Sequence, residues 1–522
     1  MIKDNEYEAL EKIVGSQNIS REPVILDTYA FQWCAELLNV INDKPPARYY
    51  LRPAAVILPS STEEIQQIVR VCNKYGLKFK AFSTGLGPWN CVSTPRTIQI
   101  DLRRMNKIVK IDTKNQYAVV EPYVSGAQLQ AEVMKFGLNC HMPGAGPQVS
   151  PLASATSMAG PGFTSASTGF AGRNVLGVEW VLPSGDLLQL GALGQKNDPD
   201  WFTGDGPGPS LRGIMRGFVG AKSGLGIFTK VAVKLYPFPS KPEWKISGES
   251  PNYKFEIPNY LKFYIINYKD WDALTNALRR FEEEEISFMC YYASRGAICA
   301  SFANSREEMF SYYSIHTRLK RPLTLMIGAQ TEREFEYKKK IVEGLIQETG
   351  GKDYTKKIKI RDVSYAEALR CLLGFHGFLI TGCFQSTHGG MDTIEMAIRM
   401  AKLNAPIKRK FIEKGGIADD QGEGVWLATY ERGHMAHCEM PTMYDATKPE
   451  SVVGWVEYAH ACDELDLKEH LGIPFFIEGD KQHEWYGPHC MNYHIWLRKI
   501  KEAFDPQNIA DPGFYITSKK TS

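Results

Sequence analysis

Three segments rich in glycine and serine carry the first chemical signal: Ser83-Thr-Gly-Leu-Gly-Pro88, Ser157–Gly172 and Ser223-Gly-Leu-Gly226. Glycine lets backbone N–H groups approach a phosphate, and Ser or Thr hydroxyls add donors without bulk. None of them is a P-loop, because Gly85-Leu-Gly-Pro-Trp-Asn90 continues into Cys91-Val-Ser and lacks the Gly-Lys-Ser/Thr ending. The dinucleotide-fold fingerprint also fails: Pro88 breaks the expected helix and the third glycine is missing. Tight packing of a loop on a sheet accounts for any one segment alone. Three of them within one stretch of chain point to a bound pyrophosphate.

A second cluster is Arg432-Gly-His-Met-Ala-His-Cys-Glu439. On an extended strand His434 and Cys438 share one face, and His437 and Glu439 share the other. Ligation of one metal by all four is therefore awkward. Three readings stay open: a strand lining a reactive face with a histidine base, a divalent metal site completed by His388 or His483, and satisfied structural histidines. Near the C-terminus, Tyr486 and His489 can line a pocket or simply belong to an aromatic core.

The surrounding elements must position these groups. Ala54–Leu58 reads as a buried strand, and Pro59-Ser-Ser-Thr-Glu-Glu64 as a capped helix start. That helix runs from Ile65 to Tyr75 and stops at Gly76. Strands follow at 77–82, 97–101, 117–121, 178–182, 187–190 and 231–235, with a helix over 125–136. Pro237-Phe-Pro-Ser-Lys-Pro242 marks a boundary. Beyond it the spacing predicts helices near 269–285, 332–348, 392–414 and 449–465, and strands near 323–329 and 425–430.

Composition narrows the class. The 522 residues are 43% hydrophobic, with 61 Lys plus Arg against 59 Asp plus Glu, so no global field favours nucleic acid. No stretch of about 18 apolar residues occurs, so no transmembrane segment is expected. The 11 cysteines form no Cys-x-x-Cys pair, which excludes a cluster-type or Cys-rich metal module. Packed, reduced thiols in a cytoplasmic protein are the expectation.

The order of the motifs resembles the FAD-binding domain of the vanillyl-alcohol oxidase / p-cresol methylhydroxylase flavoprotein family. The matching segments are Pro53–Ile65, Ser83–Pro88, Gln99–Asn106, Ala118–Leu129, Asn174–Leu188, Gly206–Gly213 and Ser223–Lys230, with Phe504–Gly513 as the tail. The resemblance implies an α+β fold with two lobes: an FAD-binding domain at 53–240 and an α+β cap at 241–484. A segment at 485–522 would return to the first lobe, and 1–52 would form a helical N-terminal arm. It further implies that Ser83, Thr84, Gly85, Leu86, Gly87 and Pro88 wrap the pyrophosphate. Ser157, Met158, Gly160 and Gly169 would lie along the cofactor, and Gly226 and Ile227 would meet its adenosine side.

Departures from the family pattern shape the expected chemistry. The pyrophosphate loop has no His to link a flavin covalently; Cys91 is the nearby nucleophile. Arg173 stands where phenol-oxidising members carry an acid beside the flavin. Pro474, Phe475 and Phe476 occupy the place of their phenolate clamp. The resemblance implies an FAD-dependent oxidoreductase, with His434 or His437 as base and Arg173 and Tyr486 at the site. Its substrate would be a small hydroxy acid or alcohol, with a para-alkylphenol or benzylic alcohol as the alternative. A non-redox FAD-dependent synthase or a supporting subunit is the other class. No metal is expected. Electrons would leave to oxygen or a separate carrier protein, and the chain would act as a homodimer or as a subunit of a larger redox complex.

Overall fold

The computed structural model describes residues 2–144, 146–157, 160–191, 211–215, 220–249, 253–357, 365–366, 368–369, 384–420, 424–475 and 477–519. Its first sheet has four strands in the order Ile19–Ser20, Ala55–Ile57, Thr97–Asp101, Lys78–Phe82, the last three parallel. The crossover helix Thr62–Tyr75 begins where Ser61 Oγ accepts from Glu64 N at 3.2 Å, and ends at left-handed Gly76. Its buried residues Ile65, Ile68, Val69 and Cys72 follow the helical repeat and pack on the sheet. Residues 2–19, expected as part of an arm, close the other side of this core through Leu10, Val14 and Ile19. The two-residue strand Ile19–Ser20 even joins the sheet, antiparallel to Ala55–Ile57.

A second, antiparallel sheet centres on the long strand Ile227–Pro237, flanked by Tyr117–Val120 and Val175–Val181. The C-terminal helix Tyr493–Phe504 packs here, stacking Phe504 on Trp180 with centroids 5.4 Å apart. Buried Lys501 fixes the turn that follows. Its ammonium donates to Gly224 O (2.6 Å), Asp505 Oδ2 (2.6 Å) and Ala510 O (2.9 Å). Ala510 then bridges to Phe79 beside the first sheet.

An eight-stranded antiparallel sheet dominates the second half, in the order 352–353, 261–268, 321–328, 289–293, 426–430, 435–444, 384–392, 473–474. One face is apolar and covered by helices Trp271–Glu283, Glu332–Glu348 and Ile394–Glu413, with Leu427, Ala436, Cys438 and Met440 in that core. The opposite face meets residues 163–170 of the first half. Phe163 packs on Tyr291 and Trp426 (5.1 Å each), and Phe170 on Tyr430 (6.2 Å).

Removing one partner of the buried Lys501–Asp505 pair leaves the other charge unpaired. Lys501→Met should therefore cost about 3–5 kcal/mol. A urea denaturation midpoint unchanged from that of the unsubstituted chain would show that this anchor is dispensable.

Candidate functional site

Two surfaces prepare a site, one in each half. In the first half, a cleft with about 680 Å³ of unfilled space, partly open to solvent, is lined by Ser83, Thr84, Gly85, Leu86, Ser157, Gly226 and Ile227. Lys80, Trp89, Asn90, Val149, Ser154, Lys222 and Ser223 complete much of the wall. The loop leaves the strand Lys78–Phe82 and is pinned twice at its start: Ser83 Oγ donates to Pro122 O, and Thr84 Oγ1 accepts from Ser150 N at 3.0 Å. Directly after these two anchors Gly85 and Gly87 adopt φ +76° and +86°. Among the described residues the amides of Gly85, Leu86 and Gly87 donate to no protein acceptor. Successive unpaired amides at such φ values form an anion-binding nest. On the facing wall Gly226 has φ +119°, and a Cβ there would lie 2.3 Å from Val181 O. Only glycine fits this close approach. The donor set thus suits a diphosphate-containing cofactor.

The second surface is the uncovered face of the large sheet. Strand register places Trp426 opposite Glu439, and Ala428 opposite His437, so these residues share that face. His437 is fully buried among Trp426 (4.4 Å between centroids), Tyr430 (5.3 Å) and Phe475 (5.7 Å). Burial pushes its pKa down to about 3, so the ring stays neutral. Its Nδ1 is hydrogen-bonded to Tyr430 Oη, whose own pKa burial drives well up. Among the described residues Tyr430 Oη has no other acceptor, so we assign its proton to this bond. The single ring proton then sits on Nε2, which has no hydrogen-bond partner among the described residues. Next to it, burial raises Glu439 to about 7, against the lowering effect of a Thr387 hydrogen bond. Glu439 keeps partial access to solvent. The pair combines an unsatisfied N–H donor with a carboxyl poised to exchange a proton near neutrality.

A sequence-family profile described as an FAD binding domain matches residues 53–191. Residues 53–191 form an FAD-binding domain. An FAD-linked oxidoreductase of Mycobacterium tuberculosis is 27% identical over 43% of this chain and 44% of its own. The 4-cresol dehydrogenase [hydroxylating] flavoprotein subunit of Pseudomonas putida is 30% identical over 36% of each chain. The chain thus spans less than half the length of the first curated relatives it matches. Alkyldihydroxyacetonephosphate synthase of Dictyostelium discoideum is 24% identical over 90% of this chain and 74% of its own. The whole chain has the p-cresol methylhydroxylase fold. A p-cresol methylhydroxylase crystal structure with substrate bound superimposes at TM-score 0.74, with 18% identity over 98% of this chain and 97% of that one. The 4-ethylphenol oxidase of Gulosibacter chungangensis, in its isoeugenol complex, gives 0.75 with 19% identity over 98% and 96%.

The expected FAD contacts divide within this domain. Gly87 continues the nest loop and is not among the residues that line the cleft, and the side chain of Pro88 lies outside the described residues. Gly160 accepts from His141 Nε2 at 2.8 Å and Gly169 lies against Glu431; neither is among the residues that line the cleft. Met158, residues 206–210 of the Gly206–Gly213 match, and Phe476 lie outside the described residues. Cys91 is buried against Ala30 O with its thiol pushed up to about 12, off the cleft wall and a poor nucleophile.

The expected cap residues do not converge. His434 is exposed on the turn before Met435–Tyr444, because the hairpin starts one residue later than its extended reading requires. Tyr486 is buried with its hydroxyl 3.5 Å from Asp463 O, away from His437. Arg173, half exposed, stacks over Phe170 (5.4 Å) and lies 3.7 Å from Glu431. His483 pairs with Tyr493 at 2.7 Å. Glu439, named in the sequence cluster without a role of its own, lies on the face of His437; the alternation along the strand was the available signal.

His388 faces the helix side, opposite Met440. Its Nε2 meets Asp466 at 2.8 Å and its Nδ1 meets Asp463 at 3.2 Å. With a carboxylate on each nitrogen, the ring is an imidazolium clamp and offers no lone pair to a metal. Burial opposes the charge, but the hydrogen bonds that the ring donates to Asp463 and Asp466 raise the pKa to about 10. A raised folded pKa stabilises fully below the unfolded value of about 6.5 and loses that contribution as pH rises toward 10. The stability gap between the unsubstituted chain and His388→Gln should therefore narrow steadily from pH 6 to pH 10 in thermal melts. A constant gap would refute the charged assignment.

Proposed function

We propose that this chain is an FAD-dependent oxidoreductase that oxidises a small, uncharged alcohol with an apolar or aromatic body. The observation that carries the reading is the pairing of His437 and Glu439 on the one sheet face that fronts the FAD-binding half. Bound FAD would supply the hydride acceptor, held by the nest at Ser83–Gly87 and the wall at Ser157, Gly226 and Ile227.

The protein groups supply the rest. His437 Nε2–H would hold the substrate hydroxyl oxygen, because it is a buried donor lacking a partner. Tyr430 keeps that proton on Nε2, which removes His437 from the role of base and gives that role to Glu439. Trp426, Phe163, Tyr291 and Phe475 surround the face with aromatic edges and exclude water from it. Among the described residues no lysine or arginine perturbs His437 or Glu439, which favours a neutral substrate over a carboxylate. Arg173 already lies beside Glu431. Oxygen or a carrier protein would take the electrons.

A second reading has a specific observation behind it: the likeness to a synthase covers 90% of this chain, whereas the dehydrogenase matches cover about a third. Anaerobic mixing with neutral alcohols, alkylphenols and 2-hydroxy acids separates the readings. Bleaching of the flavin by a neutral alcohol is the expected result. Bleaching by none of them would favour the synthase, and bleaching by hydroxy acids alone would move the substrate to Arg173. The bleaching rate should rise with pH through about 7 as Glu439 ionises. Glu439→Gln should remove this dependence and slow the step by roughly 10²–10⁴-fold.

A further inference from the structure

Two lysines line the cofactor cleft without a place in the chemistry above. Lys80 and Lys222 are both buried, at 2% and 4% exposure. Lys80 Nζ donates to the backbone carbonyl of Lys222 at 2.6 Å and sits over the Phe514 ring at 4.8 Å, fixing where Lys222 starts. Lys222 and Ser223 adopt φ +46° and +72°, left-handed values that strain a non-glycine residue. The chain accepts two such residues in succession at the cleft wall. Their conformation aims the Lys222 side chain past Trp89, 5.0 Å from the indole ring, to an ion pair with Glu478. Glu478 belongs to a remote segment, where its amide is held by Gln482 Oε1 at 2.6 Å. The nest on the opposite wall offers only the partial charges of N–H groups, so a diphosphate there would lack a full counter-charge. Lys222 is a cleft cation that pairs with a carboxylate, Glu478, from outside the cleft lining.

We propose that Lys222 is the cationic contact for the FAD diphosphate, with Glu478 as the carboxylate that holds it in register and yields it to the cofactor. The proposal rests on the FAD assignment above. A phosphate oxygen would take the place of Glu478 at the ammonium, exchanging one anion for another in a site already shaped for it. Binding of the diphosphate would then be sensed at the start of helix Gly479–Tyr486, which follows Glu478 directly.

The test uses full-length chain freed of flavin, with quenching of flavin fluorescence as the readout for FAD and for riboflavin, which has no phosphate. Lys222→Met should weaken FAD binding by about 10- to 100-fold, the range for one charge-assisted hydrogen bond. Riboflavin binding should stay within about twofold of the unsubstituted chain. Lys222→Arg should restore most of the FAD affinity, and Glu478→Gln should leave it unchanged or raise it. Equal weakening by Lys222→Met and Glu478→Gln would make the pair a structural brace and overturn the proposal. So would an unchanged FAD affinity in Lys222→Met, or a parallel loss of riboflavin binding. Failure of the unsubstituted chain to bind FAD would instead sink the cofactor assignment, and this proposal with it.

Discussion

A wide antiparallel sheet has two faces, and each must be covered by something. That requirement organises this molecule. The eight-stranded sheet gives one face to three amphipathic helices, whose buried Leu, Ile, Val and Phe side chains form a conventional core with Leu427, Cys438 and Met440. The other face carries Trp426, Tyr430, His437 and Glu439, a mixture that no simple apolar layer could cover. It is met by residues 163–170 of the FAD-binding half, through contacts such as Phe163 to Trp426. The polar members of that face are left at a junction, away from bulk water. A reactive site follows from the same alternation that builds the sheet.

Burial then sets the protonation states. His437 and Glu439 are close along the strand and experience the same low-polarity surroundings, yet the effect on them is opposite in sign. Desolvation disfavours the charged form of each, so the imidazole is driven down and the carboxyl up. Near pH 7 the imidazole is neutral and serves as a donor, while the carboxyl stands close to its midpoint. On the opposite side of the sheet His388 shows what carboxylate partners do: two aspartates outweigh burial and keep it charged. Three groups on neighbouring strands thus take three roles, decided by partners and exposure.

The chain ends matter to the first half for a related reason. The parallel sheet of four strands is short, and its edges need cover. Ile19–Ser20 pairs with one edge, and the Ala510 bridge lies beside Phe79 on the other. Lys501 ties the tail down through three acceptors at once. Glu36, near the N-terminus, receives a hydrogen bond from Tyr444 of the large sheet at 2.6 Å. The two halves are therefore stitched together by residues hundreds of positions apart.

Local pattern was enough to read much of this architecture. Helix Glu332–Glu348 and strands Thr97–Asp101 and Leu187–Leu190 fall where spacing and caps put them, because their periodicity and end signals are contained within each segment. The glycine and serine loops were readable for the same reason: the need for positive φ or close approach is written in residue type. The strand Ile19–Ser20 was not, since two residues carry no period. Neither was the choice between His434, His437 and Glu439, nor the separation of Tyr486 from them. The elements, the cofactor-type loops and the alternation along 435–444 are all written in short runs of residues. Only the tertiary structure decided which face is buried against the FAD-binding half, which nitrogen of His437 keeps its proton, and that Lys222 meets Glu478. Those outcomes depend on neighbours brought together from distant strands and on the water their packing excludes, and neither is encoded in any local run of residues.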